Sequence, residues 1–101
     1  MKLLLITAVR EFEKDVKSML VHAGVQSFSY APVNGYKDLS HQVVKENWFA
    51  SSMQESESVL FLVFSPLDHI DHLLDKFRQF NETQDSVSRI HVSVLQPDQI
   101  L

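Results

Sequence analysis

The run VLFLVF, residues 59–64, is apolar at every position and decides how the rest of the chain is arranged. A strand with one face in water alternates apolar and polar residues, so an uninterrupted apolar strand is expected to be covered on both faces. The run LLLITAV, residues 3–9, is nearly as apolar. The sequence therefore predicts two central strands of one sheet.

Each central strand is followed by a pattern typical of an amphipathic helix. After the first strand, apolar residues recur at helical spacing until Gly24, a natural helix stop: Phe12, Val16, Met19, Leu20 and Ala23. After the second strand, Pro66 is predicted at the first helical position, with Ser65 and Asp68 in a capping arrangement. The apolar stripe of this second helix is Leu67, Ile70, Leu73, Leu74, Phe77 and Phe80.

Two more strands complete the pattern. Residues 25–33 are rich in β-branched and aromatic side chains, and residues 90–94 alternate apolar with polar after the polar turn NETQDSVS, 81–88. Right-handed crossovers place both helices on the same face of the sheet. The predicted fold is α+β: a ferredoxin-like split β-α-β-β-α-β sandwich in a single domain, 1–101, with an antiparallel sheet and two helices on one face.

Composition excludes several classes of protein. A chain of 101 residues is expected to form one domain, and its net charge of −4 argues against a nucleic-acid binder. Because the chain has no cysteine, it has no disulfide framework and no thiolate zinc site, which suits a reducing, cytoplasmic location. The start MKLLLITAVR lacks a cleavage pattern, and the longest apolar runs are too short to span a membrane.

Both helices are expected on one face of the sheet, yet the two central strands are apolar on both faces. Large exposed apolar patches are rare on monomers, so another subunit is the expected cover of the second face. The alternative is that the central strands carry scattered apolar residues outward, which is common on protein surfaces.

The stretch APVNGYKDLS, residues 31–40, begins a long excursion between the second and third strands that contains the single tryptophan, Trp48. Long excursions in compact domains are usually functional or disordered. Gly35 and, less readily, Asn34 are expected to adopt positive φ at a hinge where the strand leaves the sheet. The arm is predicted over residues 34–58, and residues 37–58 are expected to be the most mobile part of the chain.

The chain resembles the PII/CutA group of trimeric ferredoxin-like proteins in element order and in the segment VNGYK, residues 33–37. This segment resembles the Val-x-Gly-Phe-Gly motif that leads into the T-loop of PII proteins, with Lys37 replacing the second glycine. The sequence also resembles shorter PII-like proteins associated with heavy-metal efflux. The resemblance implies a homotrimer that binds a small ligand between subunits beside Gly35, Tyr36 and Lys37, and that signals through a T-loop-like insertion.

One departure from the PII pattern bears on the ligand. PII proteins bind nucleotide phosphates with a glycine-rich basic loop before the last strand, whereas NETQDSVSR, residues 81–89, has no glycine and one basic residue, Arg89. A triphosphate needs backbone N–H groups and cations around it. Arg89 is therefore predicted to contact the ligand, ATP is disfavoured, and another adenine nucleotide or a divalent metal stays open as the cofactor.

The arm offers residues for a protein partner, for which the resemblance to efflux-associated proteins implies a membrane transporter as one candidate. His41, Trp48 and Phe49 are the predicted partner-binding residues, because aromatic side chains often anchor interfaces. The alternative is that Trp48 and Phe49 pack back on the protein. Both arrangements are compatible if the arm packs until a ligand releases it.

A second function is read from DHIDHLLD, residues 68–75. On a helix, Asp68, Asp71, His72 and Asp75 share a polar face, and carboxylates with an imidazole suit a divalent cation. The alternative function is therefore a CutA-like or efflux-linked protein of divalent-metal tolerance. A solvated acidic helix face is the more usual meaning of such a run.

The sequence predicts no enzymatic activity. It contains no cysteine nucleophile, no G-x-S-x-G elbow, no phosphate-binding glycine-rich loop and no H-E-x-x-H motif. His91 is expected on the second face of the sheet, and His22 near the end of the first helix, where a cation is favourable; both are expected to be structural.

Overall fold

The computed structural model of the protein describes residues 1–36 and 55–101, in which four strands form one sheet. The strands are β1 (Lys2–Val9), β2 (Ser29–Tyr36), β3 (Glu55–Ser65) and β4 (His91–Leu95), and the helices are α1 (Glu13–His22) and α2 (Leu67–Thr83). The strand order is β2-β3-β1-β4, and every neighbouring pair is antiparallel. This order confirms the predicted ferredoxin-like α+β fold.

The core lies between the two helices and one face of the sheet. Alternate residues of β1 and β3 are buried on this face: Leu4, Ile6, Ala8, Val59, Phe61 and Val63. The helices cover them with residues of the predicted stripes: Val16, Leu20, Ile70, Leu73 and Phe77. Among the described helices, none is long and apolar enough to cross a membrane.

The end of α1 explains why β2 starts later than predicted. Gly24 adopts φ +87°, its N–H donates to the carbonyl of Val21, and the Val25 N–H donates to the carbonyl of Leu20. These two bonds form a Schellman motif, which satisfies the last carbonyls of a helix. Because the Val25 donor belongs to the helix cap, the predicted strand over 25–33 is wrong at its start, and pairing with β3 begins at Ser29.

Gly24→Ala is expected to destabilise the protein by about 1 kcal/mol. An alanine in the left-handed region is strained, and this cost exceeds the stability gained because alanine restricts the unfolded chain. A Cβ at Gly24 meets no heavy atom within 4 Å, so the cost is one of backbone conformation alone. Urea unfolding measures it. Gly24→Asn is the control and should cost less, since asparagine tolerates this region. Equal stability of Gly24→Ala and the natural protein would contradict the argument.

The ladder between β2 and β3 runs further into the excursion than the sequence indicated. Tyr36 is paired with Glu55, and Gly35 with Ser56. Residues 34–36 and 55–58 therefore belong to strands and not to a free arm. The predicted positive φ is also wrong, since Gly24 is the one residue with positive φ in the described ranges 1–36 and 55–101.

The start of α2 differs from the predicted cap. Pro66 is the N-cap residue and not the first helical residue, and Pro66 makes no side-chain cap hydrogen bond. The Ser65 hydroxyl donates instead to the carbonyl of Pro66, at 3.3 Å. At its other end the helix continues to Thr83, so the first residues of the predicted polar turn are helical.

The second face of the sheet is open and largely apolar in the described chain. Leu3 and Leu5 of β1 pair with Phe64 and Leu62 of β3, and all four side chains lie on this face, opposite the core. Leu62 keeps 40% and Phe64 keeps 50% of its surface exposed, and Leu95, paired with Leu3, keeps 43%. The predicted double-sided apolarity is present. We call this surface, formed by Leu3, Leu5, Leu60, Leu62, Phe64 and Leu95, the open apolar face.

Candidate functional site

A notch lies at the end of the sheet where β1 stops. β1 ends at Val9, while the paired strands β2 and β3 continue past it to Tyr36 and Glu55. On the other side of the notch stands the loop between α2 and β4. The notch contains an open cavity of about 650 Å³.

Hydroxyl-bearing residues line the floor of this cavity. Thr7 of β1 and Ser56 and Ser58 of β3 extend the open apolar face into a polar region, and His91 is paired with Thr7. The two serines are not among the predicted site residues, because SSMQESES, 51–58, lies in the predicted arm, 34–58. No apolar pattern marks them in the sequence, and only their even spacing from Leu60 and Leu62 agrees with one face of a strand. His91 lies on the second face, as predicted.

Gly35 lies where two side chains of β3 approach the backbone of β2, and not at a turn. A Cβ at this position would come within 2.9 Å of the Ser56 hydroxyl and 3.3 Å of the Ser58 hydroxyl. These two hydroxyl oxygens lie 3.5 Å apart. A residue without a side chain therefore leaves both hydroxyls room beside β2 at the edge of the cavity.

The loop between α2 and β4 is closed by its own side chains. Gln84 Nε2 donates to the carbonyls of Ser86 and Ser88, and Gln84 Oε1 accepts from the backbone N–H of Ser86 at 2.7 Å. Arg89 Nη1 donates to the carbonyls of Ser86 at 2.8 Å and of Ser88 at 2.9 Å. At the tip of the loop, the Val87 side chain is 96% exposed.

Asn81 fixes the other end of this loop to α2. Its Nδ2 donates to the carbonyl of Ile90 at 2.9 Å, and its Oδ1 accepts from the Ile90 N–H at 2.7 Å. The amide thus replaces a strand neighbour for Ile90, which is buried. Arg89 and His91, on either side of Ile90, are held at the rim of the cavity as a result.

The charge around the cavity is less negative than the sequence indicated. Arg89 is the permanently charged side chain among the described lining residues, and none of them is Asp or Glu. Glu57, between Ser56 and Ser58, is on the opposite side of the strand and forms an ion pair with Arg10 at 3.3 Å. This exposed pair contributes little stability, but it directs one carboxylate away from the cavity.

The structure brings together three of the four residues predicted to bind a ligand. Gly35 and Tyr36 line the cavity from β2, and Arg89 lines it from the opposite loop. The fourth residue, Lys37, and the predicted partner-binding residues His41, Trp48 and Phe49 lie outside the described residues.

The four residues predicted to bind a divalent metal lie along α2. In residues 1–36 and 55–101, no group of three or more His, Asp and Glu side chains could hold a metal ion. Asp68, Asp71, His72 and Asp75 are exposed along the helix, and Asp75 accepts a hydrogen bond from Arg78 at 2.8 Å. These four residues are spread over about two turns of the helix, so metal binding there stays a prediction.

Chemically, the cavity offers hydroxyl groups, a guanidinium and an aromatic ring. The guanidinium suits an anion with paired oxygens, and Tyr36 offers a flat ring with 68% of its surface exposed. Stacking of a base on an aromatic side chain contributes about 1–3 kcal/mol in nucleic-acid binders. The arrangement fits recognition of a small planar or anionic molecule.

Comparison with known proteins finds likeness in structure and not in sequence. No protein-family model matches the chain, and no curated protein matches it. The solved structure of CPII, a nitrogen regulatory PII-like protein from Thiomonas intermedia bound to ADP, AMP and bicarbonate, superposes with a TM-score of 0.64 at 16% identity. The match covers 99% of this chain and 94% of CPII.

Two further structures agree. CPII bound to ADP, AMP and acetate matches with a TM-score of 0.60 at 19% identity, over 95% of this chain and 88% of that one. A DUF3240 family protein from Shewanella baltica matches with a TM-score of 0.68 at 14% identity, over 98% of this chain and 91% of that one. Since identities this low carry the fold and no more, the chain has the ferredoxin-like fold of the PII-like proteins.

Proposed function

We propose that this protein is a PII-like regulatory protein that binds a small ligand in the cavity between the β2–β3 ends and the α2–β4 loop. The observation that carries the proposal is the meeting of Gly35, Tyr36 and Arg89 around one cavity. Support comes also from the similar structure of CPII, a PII-like protein bound to ADP, AMP and bicarbonate. The ligand proposed here is an adenine nucleotide of low charge, a small planar anion such as bicarbonate, or both.

The proposal includes a homotrimer. The open apolar face has the composition of a subunit interface, and its occupant is proposed to be further copies of this chain. Closed rings cover such a face on every copy without leaving one exposed. Because Thr7, Ser56 and Ser58 continue this face, the cavity would then lie beside the subunit boundary.

Signalling completes the proposal. A ligand in the cavity would contact the point where residues 37–54 begin and end, and these residues carry the predicted partner-binding side chains His41, Trp48 and Phe49. The partner is proposed to be a protein, with a membrane transporter as one class. The protein is proposed to be cytoplasmic and to have no enzymatic activity.

Melting temperature tests ligand binding directly. A ligand at about 100 times its Kd stabilises the folded state by about 2.7 kcal/mol, which raises the melting temperature of a chain this size by roughly 10 °C or more. AMP, ADP and bicarbonate are each added to the full chain. A rise with at least one of them is expected, and no rise with any at millimolar concentration would contradict the proposal.

Matched arginine variants locate the site. Arg89→Ala is expected to abolish the rise given by bicarbonate, because it removes the cation of the cavity. Arg78→Ala removes another exposed arginine, which is paired with Asp75 on α2, and it should keep the full rise. Equal responses from both variants would mean that the ligand binds elsewhere.

Affinity is expected not to increase from AMP to ATP, and ATP should bind more weakly than about tens of micromolar. Each added phosphate needs cations, and the described lining supplies Arg89 alone as a permanent one, with Nη1 already bonded to two carbonyls. Calorimetry with the three nucleotides measures this. A submicromolar ATP isotherm that Arg89→Ala abolishes would show a phosphate grip that the described residues do not contain.

A further inference from the structure

Gln84 and Arg89 share a pair of hydrogen-bond acceptors. Gln84 Nε2 donates to the carbonyls of Ser86, at 2.9 Å, and Ser88. Arg89 Nη1 donates to the same two carbonyls, at 2.8 Å and 2.9 Å. The same two carbonyl oxygens therefore accept hydrogen bonds from both an uncharged amide and a guanidinium, and we call them the shared carbonyl pair.

The shared carbonyl pair binds only Nη1 of the Arg89 guanidinium. Among the described residues, Nε and Nη2 of Arg89 have no hydrogen-bond partner. These two nitrogens form one straight edge, with two parallel N–H groups, that matches two oxygens of a planar anion. Because Arg89 lines the cavity, this is the edge that is left for a ligand.

Gln84 fixes the position of the shared carbonyl pair. Its Oε1 accepts from both the backbone N–H and the hydroxyl of Ser86, each at 2.7 Å, so that the amide ties the loop from two directions. Without this amide, the loop would lose four of its hydrogen bonds, and the carbonyls that orient Arg89 would be free to turn. A guanidinium that must be ordered at the moment of binding costs affinity.

We propose that Gln84 is a positioning residue for ligand binding: it fixes Arg89 so that its Nε–Nη2 edge binds one planar anion with two oxygens, such as bicarbonate or a carboxylate. The inference rests on the proposed function and adds the residue that sets the anion geometry. One fixed Nε–Nη2 edge binds one such anion, and it does not bind a chain of phosphates.

The test compares bicarbonate binding by four variants of the full chain, followed by NMR titration. Gln84→Ala and Arg89→Lys are each expected to weaken binding about tenfold, which is the size of one lost charge-assisted hydrogen bond. The double variant should be no weaker than either single one, because both changes remove the same fork. Gln79→Ala, an exposed glutamine of the same helix, is the matched control and should bind like the natural chain.

A second measurement uses the natural chain alone and applies even if Gln84→Ala does not fold. The Nε–H resonance of Arg89 should shift more with bicarbonate than with an equal concentration of chloride, because a single atom cannot meet two parallel N–H groups in line as two oxygens do. An unshifted resonance would mean that the Nε–Nη2 edge of Arg89 does not bind the anion.

The outcomes separate the two proposals. If the natural chain binds bicarbonate while Gln84→Ala binds equally well, or if the double variant is additive, the role of Gln84 is overturned and the proposed function stands. An Arg89 resonance that ignores bicarbonate also overturns it. If the natural chain binds neither bicarbonate nor AMP, the proposed function fails and the positioning role fails with it.

Discussion

Phe61→Ala is expected to lower the free energy of unfolding by about 3–5 kcal/mol, the range found when large aromatic side chains are removed from a core. Phe61 is fully buried in the central strand β3, and its ring centroid lies 5.8 Å from that of Phe28 and 5.5 Å from that of Tyr30. The substitution removes apolar contacts and leaves a cavity in the core between the sheet and the helices. At about 4–8 °C for each kcal/mol, the melting temperature should fall by more than about 12 °C.

Thermal and urea unfolding at one protein concentration measure this loss. Phe61→Leu gives a graded variant that is expected to fold where the alanine variant does not, since it leaves a smaller cavity. Val21→Ala, on a side chain that is 61% exposed on α1, should change stability by less than about 0.5 kcal/mol. A loss below about 1 kcal/mol for Phe61→Ala would contradict the position of Phe61 in the core.

The sequence was sufficient for the architecture because the architecture depends on periodicity. Leu4 and Ile6 alternate with Leu3 and Leu5 across a strand, and the stripe of α2 recurs every three or four residues. Such local patterns identify each element and the face that it buries. The order of the elements then leaves few topologies, because crossovers are right-handed.

The sequence was insufficient where pairing joins distant residues. Ser56 and Ser58 stand in a polar segment without an apolar pattern, and their place on β3 depends on the partner strand β2, across residues 37–54. Gly35 was identified as special for the wrong reason. A glycine in a sequence indicates that a Cβ is unwelcome, but it does not say whether the backbone angle or the neighbouring Ser56 excludes it.

The sequence identified Tyr36 and Arg89 of the candidate site, but it did not identify Gln84, which holds Arg89 in place. The notch joins Tyr36 to Arg89 because β1 stops at Val9, and neither a motif nor a spacing in the chain reports where one strand ends relative to another. Gln84 has no periodic signal either, since its hydrogen bonds reach two to four residues along an irregular loop. A side chain whose role is to position another side chain can therefore be identified only from the three-dimensional structure.

The open apolar face is the main reason to expect that this protein forms an oligomer. Leu62 and Phe64 alternate outward on β3, while Leu3 and Leu5 beside them are partly buried by their neighbours. Contiguous apolar surface of this kind is unfavourable in water and is usually covered. Subunit contact on this face would also place the polar end of the same face, with Thr7 and Ser58, at the boundary between copies.

Leu62→Glu is therefore expected to convert the proposed trimer into a folded monomer. Leu62 lies near the middle of the open apolar face with 40% of its surface exposed, so a glutamate there is solvated in one subunit and buried unpaired in an assembly. Burying an unpaired charge costs several kcal/mol, and a threefold interface incurs that cost three times. Light scattering at micromolar concentration should give three chain masses for the natural protein and one for the variant, with unchanged circular dichroism. Val21→Glu, on the outer surface of α1, should stay trimeric; a natural protein with one chain mass, or a trimeric Leu62→Glu, would exclude this face as the interface.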